Sequence, residues 1–256
     1  MLVYSVSMPS FETEAIVLRQ YPLSESDRIV VFLTREQGKL RAVADGIKRT
    51  KSRLAGALEP FSHLRVDLWF REGKDLGQIR NAELIQSFPG KNIDLGRVYA
   101  CSYFAEIVNE IAPDGQANPV LFRLLLAALK ACARAAVTQA LIRYFEVWAL
   151  RLNGLLPDLT HCSICGKYVM DEGFRALIES GETRCGGCAE RRGLHLGAES
   201  AAALEKMMKL PPEEFMIHPF DQNTGAELEM FTQRLLGFHL ERQLKSYPLL
   251  REEVQN

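Results

Sequence analysis

The stretch DRIVVFLTREQGKLRAVADGIKR, Asp27 to Arg49, holds two short apolar runs separated by turn residues. The first ends at Gln37-Gly38. The second resumes at Leu40, Ala42 and Val43 and reaches another turn at Asp45-Gly46. Runs of this length, closed by glycine-bearing turns, predict β-strands. The flanks continue the pattern. Upstream, ETEAIVLRQYP carries an apolar segment, Ala15 to Leu18, before Pro22. Downstream, HLRVDLWF alternates, with Leu64, Val66, Leu68 and Phe70 on one face and His63, Arg65, Asp67 and Trp69 on the other. REGKDLGQIRNAELIQSF opens on a turn and supplies a last strand. Five strands in about 75 residues suit a barrel of the OB type.

From residue 91 the apolar period becomes helical. Phe104, Ile107, Val108 and Ile111 form one stripe, ended by Pro113. Asn118-Pro119 reads as an N-cap with proline at the first helical position, before Leu121, Leu124, Leu125 and Ala128. Leu141, Phe145, Trp148 and Leu152 mark a third helix, closed by Asn153-Gly154. Ala198–Lys209 is a fourth, stopped by Pro211-Pro212. Leu228, Phe231, Leu235 and Phe238 mark a last one running to about Lys245. Such one-sided helices must pack together to hide their stripes.

Residues 157–195 differ from the rest, being rich in Cys, Gly, Arg and Glu and lacking a long apolar period. HCSICG holds Cys162 and Cys165, and RCGGC holds Cys185 and Cys188. A Cys-x-x-Cys turn brings two thiolates to one ion, and two such turns complete a tetrahedral sulfur shell. One structural zinc ion per chain is expected. Four thiolates saturate it, so His161 and His195 are left out and no open position remains for catalysis. Binding contributes roughly 10–16 kcal/mol to folding such a ribbon. The other readings of the pairs are redox cysteines and an iron–sulfur cluster. Cys101 and Cys132, in helical patterns, read as small core residues.

The expected fold is thus multidomain α+β. An N-terminal five-stranded OB-fold barrel spans 1–88, an α-helical domain spans 89–156 and 196–256, and a four-cysteine zinc ribbon is inserted at 157–195. Composition agrees: of 256 residues, 47% are hydrophobic and 25% charged, as in ordinary globular proteins. No apolar run approaches the roughly 18–20 residues of a membrane span, and the N-terminus has no signal-peptide layout. A cytoplasmic protein is expected. No nucleophile elbow, Walker loop, dinucleotide fingerprint or His-Glu-x-x-His is present, so no enzyme is proposed.

The formal net charge is −1, yet Lys48, Arg49, Lys51 and Arg53 crowd the second turn, with Lys39 and Arg41 just upstream. A bounded cationic surface on a near-neutral chain points to an anionic partner, and OB barrels track nucleic-acid strands in this way. These six are the candidate DNA-binding residues. A solvated loop is the competing reading. Phe61, Trp69 and Phe70 are available for base stacking and equally suited to the core.

Order and residues together resemble the RecO family of bacterial DNA recombination and repair proteins. The most specific pieces are Glu-Ser-Asp-Arg at 25–28, Thr-Arg-Glu-Gln-Gly at 34–38, and Lys-Ser-Arg-Leu with Leu-Glu-Pro-Phe across 51–61. The cysteine pairs match its zinc-bearing members, and HLERQLKSYPLL is similar to its closing segment. Residues 1–10 and the middle helices match loosely. The resemblance implies a non-catalytic recombination mediator. Such a protein binds single- and double-stranded DNA, anneals complementary strands, engages the single-strand-binding protein SSB, and with RecR helps load RecA. An acidic SSB tail ending in apolar residues calls for an apolar groove beside a cation, and Arg123, Arg134, Arg143 and Arg151 qualify by composition. The rival readings are a zinc-ribbon OB-fold RNA-binding or transcription-associated protein, a metal-dependent nucleic-acid enzyme, and a protein adaptor.

Overall fold

The structure, a computed structural model, describes residues 10–48, 54–88, 94–215 and 220–255. The chain divides into two compact units, residues 1–134 and 135–256.

The first unit begins with β1 (Ser10–Pro22), β2 (Arg28–Thr34), β3 (Gly38–Ala44), β4 (His63–Trp69) and β5 (Leu76–Gln86), closed into a barrel in the order β1-β2-β3-β5-β4. Only β3 and β5 run parallel, over Arg41–Val43 and Leu76–Gln78. The long β1 closes the barrel by serving two neighbours, β4 through Ser10–Ile16 and β2 through Ala15–Pro22. Its register shifts between Val17 and Arg19, a bulge that bends the strand. The expected inner face of β4 is observed: Leu64, Val66 and Leu68 are fully buried, with Val17, Phe32, Ala42 and Leu58 around them. Phe70 packs against that core and stacks on Phe11 at 6.0 Å. Each such side chain contributes about 1.5–3 kcal/mol on burial.

Two helices complete the unit, α1 (Leu95–Ile111) and α2 (Pro119–Arg134). Asp94 caps α1 by accepting from the Arg97 N–H at 3.0 Å, and Asn118 caps α2 by accepting from Leu121 N–H at 3.0 Å. The apolar stripe of α1, with Tyr103, Phe104, Ile107 and Val108 buried, packs on β1 and β2, and α2 packs on α1. Cys101 and Cys132 are buried between them as core thiols. Gly38 has φ +71°, and a Cβ there would lie 2.0 Å from the Gln116 carbonyl oxygen. Glycine is therefore required where the β2–β3 turn meets the α1–α2 loop.

The second unit holds α3 (Gln139–Leu152), β6 (Gly173–Leu177), β7 (Glu182–Arg184), β8 (Leu194–Gly197), α4 (Ala198–Lys209), α5 (Pro212–Phe215), α6 (Gln222–Leu240) and α7 (Tyr247–Gln255). The three strands form an antiparallel sheet, β7-β6-β8. Around α3 pack α4, α5 and α6. Thr138 caps α3, and Asp221 caps α6 by accepting from the N–H groups of Asn223 and Thr224. The expected last helix ends five residues early. Glu241 turns left-handed at φ 53° after Leu240, and α7 follows as a separate helix. Phe238, expected on the buried stripe, is exposed. The fold class is otherwise as expected: a closed five-stranded barrel, a helical C-terminal region and a four-cysteine cluster. Among the described residues, no helix is long and apolar enough to cross a membrane.

Candidate nucleic-acid interface and metal centre

Strand alternation sets the cations of β3. Ala42 and Ala44 point into the core, so Lys39 and Arg41 face outward. Their environments differ. The Lys39 side chain is only 14% exposed. Its ammonium donates to the Asn109 carbonyl in the last turn of α1 at 2.6 Å and lies 3.3 Å from the Asp114 carboxylate. Arg41 is half-exposed and donates from Nη2 to Asp114 Oδ2 at 2.8 Å. Lys48 is exposed on the turn after β3. Arg49, Lys51 and Arg53 lie outside the described residues.

The turn that starts the basic loop is braced from below. Asp27 accepts from the Gly46 N–H at 2.7 Å and from Ser26 Oγ at 3.0 Å, and the Lys48 N–H donates to the Ser26 carbonyl at 3.2 Å. Ile47 is buried in the barrel core, and beyond the loop Leu54, Ala55 and Leu58 pack against the same core. The described residues on either side of 49–53 are thus held against the core while Lys48 faces water. Ser26 and Asp27 of the Glu-Ser-Asp-Arg piece are the structural support of the basic turn, a role that no spacing in the sequence announces.

Of the aromatic candidates, Phe61 has a left-handed backbone, φ 66°, and Trp69 is half-buried with the Arg80 guanidinium 5.8 Å from its ring centre. Arg80 is exposed on β5 and absent from the sequence-based set. Adjacent strands β3, β5 and β4 therefore carry Arg41, Arg80 and Trp69, cations beside a flat ring. That combination serves strand backbone and base stacking together.

The four helix arginines separate as well. Arg123, Arg134 and Arg151 are exposed, with Arg151 5.0 Å from the centre of the Trp148 ring. Arg143 is buried, so it offers no cation to a surface groove and is not on a solvated helix face. Its guanidinium meets the fully buried Glu146 at 3.0 Å and also reaches Thr232 Oγ1 and the Tyr247 hydroxyl.

In the second unit, the sulfurs of Cys162, Cys165, Cys185 and Cys188 all lie within 4.8 Å of one another. Cys165 and Cys185 are 3.7 Å apart, against about 3.8 Å for tetrahedral zinc with 2.3 Å bonds. Each pair sits in a tight knuckle. The Gly166 N–H donates to the Cys162 carbonyl at 2.9 Å, and the Ala189 N–H donates to the Cys185 carbonyl at 3.0 Å. The Ser163 N–H donates to the Thr183 carbonyl at 2.8 Å and ties the first knuckle to β7. Burial pushes the Cys162 thiol up, but backbone N–H groups of Cys165, Cys185 and Ile164 outweigh it and bring it down to about 6. The Cys188 N–H likewise lowers Cys185. Cys188 is pushed up to about 12, first by its contact with Cys185. Four sulfurs this close do not all ionise unless a cation sits among them. The donor set and spacing fit one metal ion, and among the described residues no other group of three or more His, Cys, Asp or Glu side chains is placed to hold one.

Two family models match in succession, Recombination protein O N terminal over residues 8–88 and Recombination protein O C terminal over residues 93–248. The chain belongs to the RecO family. It is 35% identical to the DNA repair protein RecO of Koribacter versatilis over 93% of its own length and 97% of that protein's. It is 35% identical to the RecO of Geobacter metallireducens, covering 96% and 98%, and 34% identical to that of Desulforudis audaxviator, covering 96% and 98%. RecO membership places the chain among proteins of DNA repair and recombination. The N-terminal family match spans the whole barrel, and the C-terminal match spans α1 to α6 and all four cysteines.

Proposed function

We propose that this chain is a DNA-binding recombination mediator. In this reading it binds single- and double-stranded DNA through the barrel, anneals complementary strands, engages SSB, and acts with RecR to load RecA on gapped DNA. The observation that carries it is a RecO-family OB barrel that exposes Arg41, Lys48 and Arg80, with Arg80 beside Trp69. Arg49, Lys51 and Arg53 extend the cationic loop in sequence. Repair acts on any sequence, so contact must fall on phosphates and ring faces rather than base edges. Cations carried on a barrel surface supply it without a base-reading helix. Lys39 contributes field rather than direct contact, because its ammonium is spent on Asn109 and Asp114.

The metal in this reading is one zinc ion on Cys162, Cys165, Cys185 and Cys188, and its role is structural. When bound it would offset two of the four thiolate charges and clamp two knuckles of the 157–195 ribbon. No bond chemistry is assigned to the chain. Exposed Arg123, Arg134 and Arg151 remain the candidate cations for an acidic SSB tail.

The test is annealing. Two complementary oligonucleotides coated with SSB are mixed with the protein, without nucleotide or added divalent metal. Pairing that is faster than with SSB alone and indifferent to base sequence is expected. No acceleration, or acceleration only with RNA, would reject the mediator in favour of the RNA-binding alternative.

A further inference from the structure

Asp114 lies against the two cations of β3, and nothing in the RecO assignment accounts for it. Its carboxylate spans them, with Oδ1 3.3 Å from Lys39 Nζ and Oδ2 2.8 Å from Arg41 Nη2. The backbone places it there. Asp114 forms an isolated parallel bridge with Lys39, and the Gly115 N–H donates to the Lys39 carbonyl at 2.9 Å. Two residues on, the Gln116 carbonyl seats directly over Gly38, where no side chain fits. The α1–α2 loop is thus clipped to the start of β3, and the acid is delivered by fixed main chain.

We propose that Asp114 is a built-in competitor for DNA phosphate at Arg41. The inference rests on the DNA-binding reading above and concerns the regulation of that same surface. A carboxylate with one oxygen on each of two cations occupies the place that two phosphate oxygens would take. Lys39 is held inside by a second acceptor, the Asn109 carbonyl at 2.6 Å. Arg41 is 45% exposed, and its five N–H donors outnumber the one bond to Asp114. It is therefore the cation that an arriving strand can capture. Asp114 is itself 53% exposed, so a phosphate meets a negative charge beside its target. The consequence is a threshold. A strand touching only Arg41 gains little, because it trades one anion for another. A strand that also reaches Lys48 binds, and in doing so draws Arg41 away from the α1–α2 loop.

The experiment is a salt series of fluorescent single-stranded oligonucleotide binding with wild type, Asp114→Asn, Arg41→Ala and the double variant. Asparagine keeps the shape and leaves the backbone clip intact. Asp114→Asn is expected to bind about fivefold tighter at low salt, the upper range for an exposed ion pair. Its log-affinity salt slope is expected to steepen by about 0.7, one further phosphate neutralised on a single strand. In the Arg41→Ala background the same change is expected to lose most of its effect, because the two residues act as a unit and only the field of the carboxylate remains to be removed. Wild-type affinity in Asp114→Asn overturns the proposal, and so does a gain that persists undiminished without Arg41. If Asp114→Asn melts lower than wild type, Asp114→Ser is read by the same criteria. Wild type that fails to bind at low salt removes the DNA-binding reading itself, whereas binding by wild type with no response to Asp114→Asn removes only the competitor.

Discussion

Glu146→Gln isolates a buried charge contact in the second unit. The Glu146 carboxylate is fully buried and accepts from Arg143 at 3.0 Å, from Thr232 Oγ1 at 2.5 Å and from Gln233 Nε2 at 2.8 Å. Arg143 is itself 4% exposed and stacks its guanidinium 5.6 Å from the Tyr247 ring. The amide cannot balance the guanidinium charge, and a buried cation left without its anion costs about 3–5 kcal/mol. For a unit of this size, each kcal/mol lowers the melting temperature by about 4 °C, which predicts a fall of about 12–20 °C. Thermal melting followed by helical circular dichroism reads it directly. Replacing both partners, Arg143→Met with Glu146→Leu, is expected to recover most of the loss, because two matched apolar groups leave no charge to solvate. A fall below about 3 °C for Glu146→Gln would refute the reasoning, since it would mean that water reaches the pair.

Three further outcomes are expected. Stripping the metal with a chelator opens the knuckles, so a protease should cut within residues 157–195 while the barrel stays intact; an unchanged digestion pattern would remove the structural role of the metal. Burial holds His63 below its ordinary value of 6.5, with Glu14 at 3.4 Å partly opposing it. The unfolded chain then takes up this proton first as pH falls, so the contribution is complete above 6.5 and is lost on descent toward the folded value. Urea midpoints at neutral and mildly acidic pH should therefore diverge more for wild type than for His63→Asn, and equal divergence would contradict the assignment. Asp221→Ala removes the side chain that accepts from the Asn223 and Thr224 N–H groups of α6, and a loss of about 1 kcal/mol is expected by denaturant titration; a change within error would show that water replaces the cap.

What was legible in the sequence had a short range. The inner face of β4 follows from alternation alone, and Leu64, Val66 and Leu68 lie where it puts them. The metal centre follows from two Cys-x-x-Cys turns, because their chemistry is carried within each turn. The length of β1 was not legible beyond Ala15–Leu18. Its ends are polar, and pairing with two different neighbours makes them strand. The end of α6 was hidden for a related reason: the left-handed residue is Glu241 rather than glycine, so no stop signal marks it. Arg143 was indistinguishable by composition from Arg123, Arg134 and Arg151, and only Glu146, Thr232 of α6 and Tyr247 at the start of α7 set it apart. Of the candidate interface, the basic cluster was visible as a run of charge. Its partners were not, since Asp27 meets Gly46 across 19 positions and Asp114 meets Arg41 across 73. Arg80 stood alone among polar residues and gained meaning only beside Trp69.

The central claim is that the barrel binds DNA backbone through its basic loop. The most direct measurement is binding of a fluorescent single-stranded oligonucleotide across a salt series, comparing wild type with a variant carrying alanine at Lys48, Arg49, Lys51 and Arg53. A steep salt dependence is predicted for wild type, flattened in the variant by about 0.7 in log-log slope for each phosphate that the loop no longer neutralises. Equal affinity and equal slope in the two proteins would contradict the account and move the DNA-binding surface away from this loop.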